Sequence, residues 1–179
     1  MIYVFLGDGF EEIEAIAPID ILRRAELNVQ VVGVGGPFIR GSHGITVQCD
    51  ITESQADTSD LEMIVLPGGM PGTLNLERSE VVQEFINYCV KKEIWIGAIC
   101  AAPSILGHKG LLRGKNAVCF PGFEGELEGA RLSQDLVVRD GKIITAKGCG
   151  VAVDFGLELV AALKGSQRAE VLKASLQCR

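Results

Sequence analysis

The feature that most constrains this chain is an alternation running its whole length: short apolar runs of strand type, each followed by a segment with helical periodicity. Ile2-Tyr3-Val4-Phe5-Leu6 reads as a strand, residues 11–25 as a helix, and Val29 to Val34 as the next strand. Glu62-Met63-Ile64-Val65-Leu66 is a further strand, ended by Pro67-Gly68-Gly69. Residues 79–91 read as a helix, 94–99 as a strand and 101–112 as a helix. Val137 to Ile144 reads as a hairpin turning at Asp140-Gly141, a type I′ sequence. A helix over 151–164 closes at Gly165, and a last one covers 167–177. Strands and helices in this rhythm predict an α/β fold, a doubly wound and mostly parallel sheet sandwiched by helices. Only residues 36–50, with Gly36-Pro37 and Gly41-Ser42-His43-Gly44, break the rhythm, and they predict an excursion off the sheet. With no linker or repeat, the expectation is one domain over 1–179.

Composition narrows the classes of function. A hydrophobic content of 47% with 22% charged residues is that of a chain able to bury a sizeable core. The net charge of −6, without a basic cluster, argues against a nucleic-acid surface. No apolar stretch reaches the roughly 18 residues that cross a bilayer. The first strand starts at Ile2 with no leader pattern, so a cytoplasmic protein is expected. The six cysteines, at 49, 89, 100, 119, 149 and 178, show no Cys-x-x-Cys spacing, and there are only two histidines. Neither a disulfide scaffold nor a zinc cage is expected, and no metal or cofactor is called for.

In doubly wound sheets, ligands bind outside the carboxyl ends of the strands. Three loops should gather there: Gly7-Asp8-Gly9-Phe10, Pro67-Gly68-Gly69-Met70, and the turn at Cys100. Cys100 follows the apolar run Ile94 to Ile99 and precedes Ala101-Ala102-Pro103, so it sits where a strand gives way to a helix. That is the setting of a nucleophile elbow, and the positive end of the helix favours thiolate. The alternative is a small buried core thiol. Gly7-Asp8-Gly9 lacks the third glycine of a dinucleotide loop, with Glu12 in its place, which speaks against nucleotide binding. The glycines after Pro67 can expose main-chain N–H groups to an oxyanion, with Gly69 and Ala101 as candidate donors; otherwise they are an ordinary turn.

Glu14 is the second unusual residue. Helical spacing puts it on one stripe with Ala17, Pro18, Ile21, Leu22 and Ala25, pointing toward the sheet, whereas Glu12 and Arg23 point more toward solvent. A carboxylate on an apolar face must be paired or protonated, and in the first turn it would share an edge with Cys100. It could donate a proton to, or move protons for, a Cys100 thiolate. The alternative is a carboxylate at a helix start that is stabilised by the dipole and reaches water, like Glu11 and Glu12.

Several segments together resemble the ThiJ/PfpI superfamily, in the branch of the parkinsonism-associated deglycase (DJ-one). They are Glu11-Glu12-Ile13-Glu14-Ala15, Asp20 to Ala25, Leu66-Pro67-Gly68-Gly69, Ala98-Ile99-Cys100-Ala101 and Asp154-Phe155, in order and at compatible spacing over essentially the whole chain. The resemblance implies a flavodoxin-like sandwich related to class I glutamine amidotransferases, a homodimer, and an oxidation-prone cysteine on the elbow. It carries the family's cysteine to Cys100, its buried acid to Glu14 and its oxyanion-side glycine to Gly69.

Two departures bear on mechanism. Where some members have a Thr-His-Pro-like segment, this chain has Cys119-Phe120-Pro121, so Phe120 stands in the histidine's place. His108 lies eight residues past Cys100, too far for a partner, and His43 could approach only by an unusual loop path or across a dimer. A peptidase-type Cys–His pair therefore has no second member. Gly148-Cys149-Gly150 replaces a common Gly-Pro-Gly, which puts Cys149 forward as a redox partner of Cys100, or simply as a small residue at a helix start.

The activity implied by the resemblance is glutathione- and metal-independent processing of small reactive carbonyls, methylglyoxal to lactate, or deglycation of early protein adducts. Cys100 would be the nucleophile and Glu14 the acid–base. The alternative use of the same residues is a redox sensor or stress chaperone that works through oxidation of Cys100.

Overall fold

A computed structural model describes residues 1–178. Its strands are β1 (Ile2–Gly7), β2 (Val29–Val34), β3 (Phe38–Arg40), β4 (Thr46–Gln48), β5 (Ile51–Thr52), β6 (Met63–Leu66), β7 (Trp95–Ile99), β8 (Asn116–Ala117), β9 (Arg131–Leu132), β10 (Val137–Asp140) and β11 (Ile143–Ala146). Its α-helices are α1 (Glu12–Arg24), α2 (Gly72–Arg78), α3 (Glu80–Lys92), α4 (Pro103–His108), α5 (Ala152–Lys164) and α6 (Ser166–Ser175). The main sheet has seven strands in the order β10-β11-β7-β6-β1-β2-β5. Only β10 runs antiparallel; every other pairing in that sheet is parallel.

The period of two along each strand divides the core into two layers. In β1, Ile2, Val4 and Leu6 face a layer shared with α1 and α5, while Tyr3 and Phe5 face one shared with α3 and α4. The strands are apolar on both faces because both faces are covered, as parallel sheets require. On the first layer α1 and α5 press close together. A Cβ on Gly156 of α5 would lie 3.2 Å from Pro18 Cα, so glycine there permits the approach that fixes α1 against the sheet. α1 is the helix that carries Glu14.

Residues 36–50 leave the sheet as expected, forming the β3–β4 hairpin. Three local readings are corrected. Helix 101–112 shrinks to Pro103–His108, because a Cβ at Gly107 would sit 2.0 Å from the Glu126 carbonyl oxygen and Gly110 turns the chain at φ +69°. The hairpin at Asp140-Gly141 has Asp140 paired with Ile143, and positive φ at Gly141 alone, the pattern of a II′ turn. Glu12 does not point to solvent: it is buried at 6% exposure, because the β3–β4 hairpin folds over the start of α1. Among the described residues, no helix is long and apolar enough to cross a membrane.

Candidate active site

The three loops that follow β1, β6 and β7 meet at the carboxyl edge of the sheet, main chain against main chain. The Glu11 N–H donates to the Gly68 carbonyl at 2.9 Å. Gly69 adopts φ +89°, and a Cβ there would come 2.3 Å from Glu11 N. Only glycine meets both conditions. The Gly7-Asp8-Gly9 loop is occupied by the hairpin, since Gly9 N–H donates to the Arg40 carbonyl and the Asp8 carboxylate accepts from Arg40 N–H.

Cys100 stands on the elbow. Its N–H extends the sheet by donating to Ala146 O at 2.9 Å, and its own carbonyl accepts from Phe120 N–H at 2.9 Å. Between these two bonds the residue is held at φ 65°, a left-handed conformation that costs a side-chain-bearing residue about 1–2 kcal/mol. Strain of this kind in a cysteine aims the side chain; a core filler has no use for it.

Glu14 reaches the same point from α1. Glu14 is 1% exposed, its carboxyl accepts from Gly68 N–H at 3.0 Å, and it faces Cys149 N–H and the Cys100 side chain, both of which favour its charged form. Gly68 lies between the two: a Cβ there would be 2.5 Å from Glu14 Oε2 and 2.6 Å from Cys100 Cβ. The N–H groups of Gly69 and Ala101 favour the anionic form of the Cys100 sulfur.

Electrostatics at the pair correct one expectation. Burial pushes the Cys100 thiol up to about 12, and the Glu14 carboxylate adds to the rise against the two N–H groups. Burial likewise raises Glu14 to about 7, helped by the charge of Glu11 and opposed by its hydrogen bonds to Cys100, Gly68 N–H and Cys149 N–H. Burial thus outweighs the N–H groups at the turn, and α4, which begins only at Pro103, runs just six residues. The two rises share burial as their first cause, and the Glu14 charge adds to the rise of Cys100 alone.

The other nominated residues fall as follows. Cys149 approaches through its main-chain N–H on Glu14, with its side chain exposed, and both Cys100 and Cys149 are free thiols. Phe120 is 46% exposed, and a Cβ on Gly148 would lie 3.1 Å from its ring. His43 is not at Cys100. Its N–H donates to Glu12 Oε1 at 2.7 Å and its Nδ1 lies 2.9 Å from Glu12 Oε2. Burial alone would raise the Glu12 carboxyl, but His43 and the N–H groups around it outweigh that and hold it at about 2. Glu11, Glu12 and His43 are close enough to share a cation, yet Glu11 caps α1 by accepting from Glu14 N–H and both Glu12 oxygens already have donors. This cluster is a clamp on the hairpin. The Cys149 N–H on Glu14 escapes a reading of side chains; its only trace in the sequence is the pair of glycines that frees the main chain there.

A model of the DJ-1/PfpI family matches residues 1–162. Protein dj-1beta of Drosophila melanogaster is 31% identical over 176 residues, covering 97% of this chain and 94% of that protein. A Caenorhabditis elegans protein named glutathione-independent glyoxalase DJR-1.2 is 31% identical over 163 residues, covering 90% of this chain and 87% of that one. Protein DJ-1 homolog B of Arabidopsis thaliana is 33% identical, but the chain spans only 41% of its length. Among solved structures, oxidized Toxoplasma gondii DJ-1 superposes with a TM-score of 0.95 at 32% identity, covering 99% of this chain and 97% of that one.

Proposed function

The chain belongs to the DJ-1/PfpI family, and from that membership and the geometry of its site we propose that it converts small 2-oxoaldehydes such as methylglyoxal to 2-hydroxy acids, with Cys100 as nucleophile and Glu14 as acid–base. The observation that carries this reading is the juxtaposition, across Gly68, of a strained elbow cysteine and a buried glutamate whose carboxyl is raised to about 7. The name glyoxalase attached to the nematode relative agrees with it.

The chemistry balances on these two residues and one water. With the shared proton on Glu14, the Cys100 thiolate adds to the aldehyde carbon, and the aldehyde oxygen takes a proton to give a hemithioacetal. The N–H groups of Gly69 and Ala101 are our candidates for stabilising the oxyanion formed on the way. Glu14, now a carboxylate, removes the proton on the carbon attached to sulfur to give an enediol and returns it to the neighbouring carbon, while the hydroxyl proton passes from the first oxygen to the second, leaving a thioester of a 2-hydroxy acid. Water hydrolyses the thioester and the thiolate is restored. The same first attack on an early adduct of a protein amine would give the deglycase variant of the activity.

Pairing of two copies belongs to this reading. Ile13 and Ile16 on α1 are exposed, and Ile45, exposed on the hairpin, donates its N–H to Glu12 beside them. Such an apolar group next to the site is suited to a second copy of the chain, and Ile16→Asp should then shift sedimentation toward monomer.

The test of the activity is methylglyoxal consumption with lactate measured as product. Turnover lost in both Cys100→Ser and Glu14→Gln supports the assignment, and turnover that survives either one refutes it. A second reading follows from the same donors, which would also hold the oxygens of a sulfinate on Cys100: reaction with a hydroperoxide and no aldehyde turnover would favour a redox sensor.

A further inference from the structure

Next to the Glu14–Cys100 pair lies an apolar groove of about 270 Å³ that the steps above leave unused. Its lining includes Phe120, Pro121, Leu136, Gly148, Cys149 and Val151. Phe120 and Leu136 form its exposed walls, at 46% and 52% exposure. The groove adjoins the pair through two contacts. Phe120 is tied to the elbow by its N–H on Cys100 O, and a Cβ on Gly148 would lie 3.1 Å from the Phe120 ring and 3.9 Å from Glu14 Oε1.

We propose that this groove receives the substituent of the 2-oxoaldehyde, and that Phe120 and Leu136 make the chain selective for aryl or branched alkyl substituents over glyoxal. The inference rests on the carbonyl-processing reading and names its substrate class. Three observations favour this occupant over a macromolecule. The volume lies just below the roughly 300–1,000 Å³ of pockets for drug-sized ligands, which suits a ring or a short branched chain. The lining is apolar apart from Lys147, so a hydrophilic substituent finds little to bind. The trough also borders Gly148, which abuts Glu14, so a group carried by a carbon already bonded to Cys100 need not supply all of its own binding entropy there.

The experiment compares kcat/KM for phenylglyoxal and for glyoxal in the wild type, Phe120→Ala and Leu136→Ala. A ratio within one protein is unmoved by general damage to the site, and both substituted side chains are half exposed, so folding is checked simply by circular dichroism. The wild-type ratio should favour phenylglyoxal by about tenfold, and either variant should bring it down severalfold, through KM more than kcat. A ratio near one in the wild type, or unchanged in both variants while glyoxal is still consumed, overturns the selectivity and leaves the underlying activity standing. Absence of turnover with any aldehyde refutes the activity and the selectivity together. A shift in oligomeric state in both variants with an unchanged ratio assigns the groove to a second copy and overturns the proposal.

Discussion

The Glu14 carboxyl and the Cys100 side chain lie side by side across Gly68, at a place where Glu14 is only 1% exposed and four main-chain N–H groups favour the charged forms. The donors divide evenly: Gly68 and Cys149 serve the carboxylate, Gly69 and Ala101 the sulfur. A pair of this kind parts with its first proton far more readily than its second. The retained proton can then sit on either partner, giving thiol beside carboxylate or thiolate beside carboxylic acid. An enzyme that must first attack with sulfur and then remove a proton from carbon needs both forms at one place.

Glu14→Gln separates the two roles. Glutamine keeps an acceptor for Gly68 N–H but removes the negative charge that helps hold the Cys100 thiol up. Iodoacetamide alkylation of Cys100 should therefore reach its half-maximal rate at a lower pH than in the wild type. Carbonyl turnover should fall about 10²–10⁴-fold, the usual worth of a general acid–base. A variant whose thiol titrates higher, or one that turns over normally, contradicts the shared-proton account.

Much of this was legible in the sequence because it depends on periodicity. The stripe Glu14, Ala17, Pro18, Ile21, Leu22 aims Glu14 at the sheet, and the strand–turn–helix pattern marks Cys100 as an elbow residue. What was not legible depends on contacts between distant segments. Glu12 is one residue off the apolar face, so periodicity sends it outward; only the hairpin, roughly thirty positions later, buries it. The thiol could be placed at a helix start, but neither the brevity of α4 nor the burial that outweighs it is a local property. The glycines of Gly148-Cys149-Gly150 drew attention to a thiol, whereas it is the Cys149 main chain that reaches Glu14.

Gly68→Ala tests how closely the pair is built. Its Cβ would need the space 2.5 Å from Glu14 Oε2 and 2.6 Å from Cys100 Cβ, so one partner must move. Overpacking of this kind costs about 1–3 kcal/mol. Turnover should drop at least about 100-fold, since near-attack geometry tolerates little displacement. Near wild-type kinetics with an unchanged melting temperature would show that the two residues need not be in contact.

Glu14 also makes stability fall with rising pH. Its folded value of about 7 exceeds the ordinary 4.5, so between these two the folded state holds a proton that the unfolded chain releases. The carboxyl therefore adds no penalty below pH 4.5 and its full penalty above pH 7, of order 3 kcal/mol by the size of the shift. Glu14→Gln should melt about 5–10 °C higher than the wild type at pH 8 and close to it at pH 4.5. Equal differences at both values of pH would mean that Glu14 is ionised in the folded protein throughout.

The opposite sense of shift is found at His108, where Nδ1 lies 2.5 Å from Glu77 Oε1 and Nε2 lies 2.7 Å from Glu126 Oε2. Carboxylates on both ring nitrogens call for a ring with two N–H groups, the imidazolium. The hydrogen bonds to Glu77 and then Glu126 raise the histidine above its ordinary value, so the stabilisation is complete below about pH 6.5 and disappears as pH rises through the higher folded value. The clamp joins α2, which follows the Gly68-Gly69 loop, to α4, which follows Cys100. His108→Gln should accordingly lower the melting temperature at pH 6 and change it little at pH 9. Because the ring is 38% exposed, 1 M salt should shrink the difference at pH 6. Hydrogen exchange in α2 and α4 of the wild type, corrected for its intrinsic pH dependence, should lose protection between pH 6 and pH 9 while β1 and β6 keep theirs. Uniform loss across the sheet would place the pH-sensitive bond elsewhere.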